Sequence, residues 1–230
     1  GVVLAGHWWA FFKSIELSNV SIALIFMSTT AFFTSFVEPI ITKKKFDYKE
    51  LLMGVLVVIG IGIIINDLYF NVNRQYIWAI ILALISAFLA AVFSIINSVL
   101  VKKYDSKVIS LYELFGGFVA ITLATILSGK YQFADFNISV YQFVLLFILG
   151  SVCTSFAFLM GVYIMKFIPA YTVNLSVNME PIYAIVLALL FFGSQELMSL
   201  NFYLGSSIVV GTILMNAYFK RKKSDKKKSL

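Results

Sequence analysis

The run Asn174-Leu-Ser-Val-Asn-Met-Glu-Pro-Ile-Tyr183 lies in the middle of an apolar stretch from Pro169 to Phe192. As a helix, that stretch is long enough to cross a bilayer, at about 1.5 Å per residue. A carboxylate at such a depth costs roughly 3 kcal/mol on insertion scales, and Pro181 beside Glu180 removes one backbone hydrogen bond. Costs of this kind indicate a functional site inside a membrane protein.

The composition places the whole chain in lipid. Of its 230 residues, 61% are hydrophobic and 13% are charged, and the mean hydropathy is +0.95. A soluble domain of this size cannot bury so much apolar surface. The single Cys153 excludes an internal disulfide, and one cysteine with one histidine cannot complete a zinc site. We therefore expect no metal and no cofactor.

Eight apolar runs predict membrane-spanning helices. They cover residues 1–12, 20–42, 50–66, 76–101, 108–128, 140–165, 169–192 and 200–219. The connections are short, and turn residues stand at Ser18-Asn19 and Ser128-Gly129. Because no linker divides the runs, we expect one all-α polytopic domain over residues 1–219, followed by a basic tail over 220–230.

The basic residues predict the orientation of the chain. If the C-terminus is cytoplasmic, fifteen of the 18 Lys and Arg residues fall on the cytoplasmic side and three on the other. This is the distribution that the positive-inside rule describes, and it indicates a multi-pass protein of the cell membrane. Seven of the basic residues lie between Lys220 and Lys228, where they can touch anionic lipid. The same distribution argues against a nucleic-acid partner.

An internal repeat is visible in two glycine motifs. Gly54-Val-Leu-Val-Val-Ile-Gly60 and Gly205-Ser-Ser-Ile-Val-Val-Gly211 share their spacing at an offset of 151 residues. Spans one to three then correspond to spans six to eight. Corresponding spans are five apart in order, an odd number, so the two halves have opposite orientations. The first half would be 1–66 and the second 76–219. Spans four and five have no counterpart in the first half, so symmetry predicts two further spans upstream, and we expect eight helices of ten, in two inverted repeats of five.

These stretches resemble the EamA-like members of the drug/metabolite transporter superfamily. The resemblance runs from Ala10-Phe-Phe-Lys-Ser-Ile through Gly54 to Gly60. It runs again from Asn178-Met-Glu-Pro-Ile-Tyr through Gly193, and over Gly205 to Gly211. It implies ten helices around a central cavity, and transport of small metabolites or drugs, often outward. One departure is that Thr30 stands where the family often has a proline aligned with Pro181.

Glu180 is the first candidate site residue. An apolar setting favours the neutral acid, so the side chain could take up and release a proton during a transport cycle. The alternative is a protonated glutamic acid that hydrogen-bonds a backbone carbonyl freed by Pro181. In the first half, the corresponding place is Thr29-Thr30, so coupling through Glu180 would be asymmetric.

Asn174 and Asn178 lie four residues apart and share a helix face, whereas Asn178 and Glu180 point roughly 200° apart on a regular helix. The asparagines could line a substrate cavity together with Tyr183. Alternatively, they could join neighbouring helices, as asparagines in membrane helices often do.

His7, Trp8 and Trp9 form the second candidate group. The histidine could take a proton or bind an anionic group, and a tryptophan could stack on a flat or cationic ligand. We expect His7 and Trp8 at the cavity wall. The alternative is an aromatic anchor at the membrane interface, with His7 bonded to a neighbouring helix.

Three further features favour structural roles. The stripe Ser86, Ala90, Ser94 and Asn97 could line a pore or let a neighbouring helix pack closely, and packing is the favoured interpretation. Glu113 lies near Lys107, which predicts an ion pair. The motif glycines predict close contacts between helices.

The sequence therefore predicts a secondary transporter, a permease that exports a small organic molecule by alternating access. It does not predict an enzyme, because no hydrolase, metalloprotease or nucleotide-binding motif is found. The expected partners are a small-molecule substrate and the lipid bilayer, and a homodimer is left open. Two alternatives are a membrane enzyme acting on lipid-like substrates and a non-transporting membrane assembly subunit.

Overall fold

The structure is a computed structural model that describes residues 1–43, 75–129, 137–168, 170–177 and 199–228, together with twelve single positions. These positions are residues 52, 53, 56, 57, 59, 60, 62, 63, 183, 187, 190 and 191. Every regular element in this part of the chain is a helix, which confirms the all-α class.

The helices follow one another in this order. They are α1 (Val2–Leu17), α2 (Val20–Met27), α3 (Thr30–Thr42), α4 (Gln75–Leu100), α5 (Ser106–Ser128), α6 (Val140–Ile148), the π-helix π1 (Leu149–Phe156), α7 (Ala157–Ile164), α8 (Ala170–Val177) and α9 (Leu200–Lys228). The described residues between 52 and 63 are also helical.

Four helical stretches are long and apolar enough to cross a membrane. They are Val20–Thr42, Tyr76–Leu100, Ser106–Ser128 and Val140–Ile164, which correspond to the second, fourth, fifth and sixth predicted spans. The chain is therefore a multi-pass membrane protein. The total of eight spans and the inverted repeat stay predictions, since much of the third and seventh spans lies outside the described residues.

Two helices continue beyond the apolar runs that predicted them. Helix α1 ends at Leu17 rather than at residue 12, and Lys13 and Glu16 in its last turns form an ion pair at 2.6 Å. Helix α9 continues to Lys228 rather than ending at residue 219. Charged residues end a hydrophobic run, but Lys and Glu are good helix formers, and pairs three residues apart support a helix.

The short connections have the expected turn chemistry. The side chain of Asn19 caps α2 by accepting from the backbone N–H of Ile22 at 2.9 Å. Gly129 follows α5 with φ +59°, a left-handed conformation that favours glycine. Both predicted turns are therefore present.

The second span is interrupted at Ser28 and Thr29, between α2 and α3. The hydroxyls of Ser28, Thr29 and Thr30 each donate to the carbonyl oxygen three residues earlier, at 2.6 to 2.7 Å. Hydroxyl groups that bond back in this way bend helices and satisfy carbonyls that the bend exposes. In the predicted repeat, Thr29 within the interruption corresponds to Glu180, and Thr30, the first residue of α3, corresponds to Pro181.

Helix α4 is central to the bundle, with α1, α2, α3, α7 and α8 packed against it. Ala79, Ala83, Ala87 and Ala91 are fully buried at every fourth position, so they lie on one face of α4. Small residues let helix axes approach closely in membranes. Nearby, Phe202 of α9 is buried between Ile25 of α2 and Ile80 of α4.

The glycine motifs meet at one point. A Cβ atom placed on Gly60 would lie 3.0 Å from the carbonyl oxygen of Gly205 and 2.9 Å from Cγ2 of Val209. The third span therefore contacts α9 where Gly60 meets Gly205, one glycine from each motif, and close helix contact is what the sequence predicts for both. A Cβ on Gly211 would meet no described atom within 4 Å, and Gly54 lies outside the described residues.

This difference gives a stability prediction. Gly60→Ala should destabilise the protein by about 1–3 kcal/mol, because the added methyl group overpacks the contact with backbone. Gly211→Ala should be neutral or stabilising by up to about 1 kcal/mol, since alanine favours a helix and space is available there. Thermal unfolding of the purified variants in detergent measures both, and equal effects would contradict the contact.

Candidate functional site

A cavity of about 300 Å³ lies between α1, the interrupted α2–α3 span, α4, α7 and α8. Its walls are largely apolar and include five aromatic side chains: Trp8, Phe11 and Phe12 from α1, Phe93 from α4 and Phe158 from α7. A few polar side chains interrupt this apolar surface. Small-molecule sites typically combine a mostly apolar cavity with a few placed polar groups.

A larger depression of about 560 Å³ lies at the connection between α4 and α5. It is lined by Lys102, Lys103, Asp105 and Lys166, and Lys166 approaches Asp105 to 4.0 Å. These residues are on helix ends and in loops, so the depression faces the polar boundary of the bundle. The smaller cavity, between the helices, is the better candidate site.

His7 joins α1 to α4 and borders the cavity. Its Nδ1 lies 3.0 Å from the carbonyl oxygen of Ser86, while the Ser86 hydroxyl donates to the His7 carbonyl oxygen at 2.9 Å. The Ser86 hydroxyl oxygen also lies 2.8 Å from Nδ1, so both polar groups of Ser86 contact the imidazole. The imidazole also packs against Phe93, with ring centroids 5.5 Å apart. The alternative to a cavity role for His7 was a bond to a neighbouring helix, and this contact with α4 is such a bond.

The two adjacent tryptophans face different surroundings. Trp8 lines the cavity, whereas Trp9 is 63% exposed. The helical turn between consecutive residues, about 100°, separates the two rings. The two tryptophans are adjacent in the sequence, but only Trp8 lines the cavity.

Asn174 lines the cavity and joins three helices. Its Oδ1 accepts from the Ser94 hydroxyl of α4 at 2.9 Å, and its Nδ2 donates to Oγ1 of Thr34 in α3 at 2.8 Å. Thr34 in turn donates to the carbonyl oxygen of Thr30 at 2.8 Å. Asn174 therefore joins neighbouring helices, as one alternative predicted, and also lines the cavity, as the other predicted.

A second asparagine, Asn97 of α4, also lines the cavity. Its Nδ2 donates to Oε2 of Glu113 in α5 at 2.8 Å. The ion pair expected between Glu113 and Lys107 is not formed, although the structure describes both residues. Glu113 is instead bonded to a cavity residue.

The structure brings together three of the six predicted site residues: His7, Trp8 and Asn174. Tyr183 is 55% exposed and is not part of the cavity wall. Asn178 and Glu180 lie outside the described residues.

Sequence reasoning did not assign Ser94 and Asn97 to the cavity wall, or Thr34 as the partner of Asn174. The first two belong to the polar stripe on α4, for which the sequence favours packing over pore lining. Thr34 gave no sequence signal. Among the described residues, no group of three or more His, Cys, Asp or Glu side chains could hold a metal ion.

The sequence of this chain matches the model of a known protein family. The model of the EamA-like transporter family matches residues 77–218, more than half of the chain. A crystal structure of another protein has a similar fold, with a TM-score of 0.63 at 12% identity, over 95% of this chain and 74% of that one. No curated protein matches the chain significantly.

The opposite settings of the two tryptophans predict different access to water. With the native Cys153 replaced by serine, Trp8→Cys should react with a water-soluble methanethiosulfonate, because a thiolate forms only where water is present. Trp9→Cys should stay unmodified, because the exposed face of a membrane-spanning α1 lies against lipid and not against water. Mass spectrometry of the protein in lipid nanodiscs measures both, and equal modification would contradict the cavity.

The bond between Ser94 and Asn174 predicts an energetic coupling. In a double-mutant cycle, Ser94→Ala and Asn174→Ala should be less destabilising together than the sum of the single changes, by about 0.6 kcal/mol, a typical value in membrane bundles. Unfolding in SDS-containing micelles measures the coupling. Ser207→Ala serves as the control partner, because its hydroxyl bonds only within α9. Strict additivity for Ser94 and Asn174 would contradict the bond.

Proposed function

Because the chain belongs to the EamA-like transporter family, we propose that it is a secondary transporter that exports a small organic molecule across the cell membrane. The molecule binds in the cavity bordered by His7, Trp8 and Asn174. The observation that carries this proposal is the cavity itself, because it lies between helices, has largely apolar walls and contains few polar groups.

The interrupted second span supports alternating access. Met27 and Thr30, on either side of the interruption, both line the cavity. In many transporters, interrupted helices border the substrate site between two inverted repeats, and the halves rock around that site. We propose the same movement here, with a rotation of the halves exposing the cavity to one side at a time.

Two observations support the repeat itself. The family model matches residues 77–218, which begins and ends within one residue of the second half proposed from sequence, 76–219. The contact between Gly60 and Gly205 joins the third and eighth spans, which the repeat relates to each other. We propose ten spans in two inverted repeats of five, of which this chain contains eight, with 1–66 belonging to the first.

The distribution of Lys and Arg supports a cytoplasmic C-terminus, and a basic segment over 220–230 that can touch anionic lipid. The transporter would work in the lipid bilayer, as a monomer or as a homodimer.

Glu180 is the proposed coupling residue, and Asn178 and Tyr183 are proposed neighbours of the substrate path. Val177 is the last residue of α8 and lines the cavity, and Glu180 follows it by three residues in the sequence. Thr30, which lines the cavity, is the first-half counterpart of Pro181. Both relations favour a position of Glu180 near the substrate.

Filling the cavity should stop transport. A Cβ on Gly161 would meet no described atom within 4 Å, and the same holds for Gly150 in the same span. Gly161 lines the cavity, whereas Gly150 is exposed. In reconstituted vesicles, Gly161→Phe should therefore lower solute flux about tenfold or more, by excluding the ligand from its site. Gly150→Phe should retain the flux of the unchanged protein.

The solutes for this test come from a broad panel of metabolites and drugs. Flux that is lost equally in both variants, with folding verified, would contradict a role for the cavity. Absence of any flux across the panel would contradict transport and would leave the membrane enzyme or the assembly subunit as the explanation.

Proton coupling is tested by Glu180→Gln. A permanently neutral side chain cannot exchange a proton, so the dependence of transport rate on pH should become flatter than that of the unchanged protein. Flux measured over a range of external pH gives the comparison. The same pH dependence in both proteins would remove Glu180 from the coupling mechanism.

A further inference from the structure

We propose that Asn97 recognises an N–H or O–H donor on the bound molecule, and that Glu113 holds the Asn97 amide in the orientation this requires. The proposal rests on the cavity being the substrate site and adds the chemical class of the substrate. It assigns a binding role to a pair of residues that neither the family match nor the candidate set includes.

The orientation of the Asn97 amide follows from its partner. Asn97 is fully buried on α4, and its Nδ2 donates to Oε2 of Glu113 at 2.8 Å. A carboxylate offers only acceptors, so the NH₂ group of the amide has to face it. The carbonyl oxygen Oδ1 is thereby turned away from α5.

That oxygen is left without a partner. Oδ1 of Asn97 is buried and accepts no hydrogen bond from the described part of the chain, while Asn97 itself lines the cavity. A buried acceptor is costly unless a donor or a water reaches it. Ser110 and Ser206 also carry unpaired buried hydroxyls, but neither residue lines the cavity, so Asn97 is the one of the three that borders the proposed ligand site.

Asn174 provides the contrast within the same cavity. Its Oδ1 and its Nδ2 are both bonded to side chains of neighbouring helices, so its amide is used in joining the bundle. Asn97 uses only its NH₂ group in this way. The two asparagines therefore divide the structural and the recognition roles between them.

The surroundings of Asn97 favour an amine over an acid. No Lys or Arg occurs among the residues that line the cavity in the described part of the chain, and the carboxylate of Glu113 stands directly behind the amide. The faces of Trp8 and Phe93 suit a flat or cationic body. We therefore assign to the site small aromatic or apolar molecules that carry an ammonium or a hydroxyl group.

Three matched probes test this assignment: 2-phenylethylamine, its N-trimethylated form and 3-phenylpropionate. The trimethylated probe keeps the ring and the charge but has no N–H donor. Dissociation constants are read from the dependence of Tm on probe concentration with purified protein in detergent. The amine should bind about tenfold more tightly than the trimethylated probe, as one charge-assisted hydrogen bond implies. The acid should bind more weakly than both.

The decisive variant is Asn97→Leu combined with Glu113→Leu. Removing both partners leaves neither a buried amide without its carboxylate nor a carboxylate without its amide, so the bundle can fold. The preference for the amine over the trimethylated probe should then fall from about tenfold to near one. Ser110→Ala, on the neighbouring helix and outside the cavity, should keep the tenfold preference.

A preference that survives in the double variant would overturn the proposal. So would equal binding of the acid and the amine, or no stabilisation by the amine in the unchanged protein. The assay reads binding and not flux. A protein that shows the predicted preference but moves no solute would contradict the transport proposal alone, and a protein that transports without the preference would contradict this inference alone.

Discussion

Polar side chains buried among membrane helices have to find partners within the bundle, because lipid offers none. In this protein, three such pairings lie along one edge of α4. Ser86 bonds His7 of α1, Ser94 bonds Asn174 of α8, and Asn97 bonds Glu113 of α5. Three helices are thus held to α4 by side-chain hydrogen bonds. The buried alanines of α4 let neighbouring helices approach it closely elsewhere along its length. The cavity lies where these polar contacts leave space between the helices.

Much of the fold could be predicted from the sequence, because a bilayer imposes both length and apolar character on each span. The spans over 20–42, 76–101, 108–128 and 140–165 were recognised for this reason. The ends of α1 and α9 were missed, since a charged residue marks the boundary of the apolar run and not the end of the helix. Such ends depend on local helix-forming preference and on pairs such as Lys13 with Glu16.

The site could be predicted only in part. His7, Trp8 and Asn174 were found because polar or amphipathic groups are conspicuous in apolar runs. The pairing of Asn97 with Glu113 could not be predicted, because it joins two different helices. Lys107 is closer to Glu113 in the sequence, so an ion pair between those two residues was expected instead. Similarly, Trp8 and Trp9 are equivalent in sequence, and only the rotation of α1 against its neighbours separates a cavity ring from an exposed one. Side-chain pairing between helices is a property of packing.

The central claim is that the molecule the protein transports occupies the cavity beside Trp8. The most direct measurement is the rate at which a methanethiosulfonate modifies Trp8→Cys, in a Cys153→Ser background, as the concentration of a transported solute is raised. The account predicts protection, with half of the effect at the concentration that half-saturates flux. An unchanged modification rate at a solute concentration that saturates flux would contradict it.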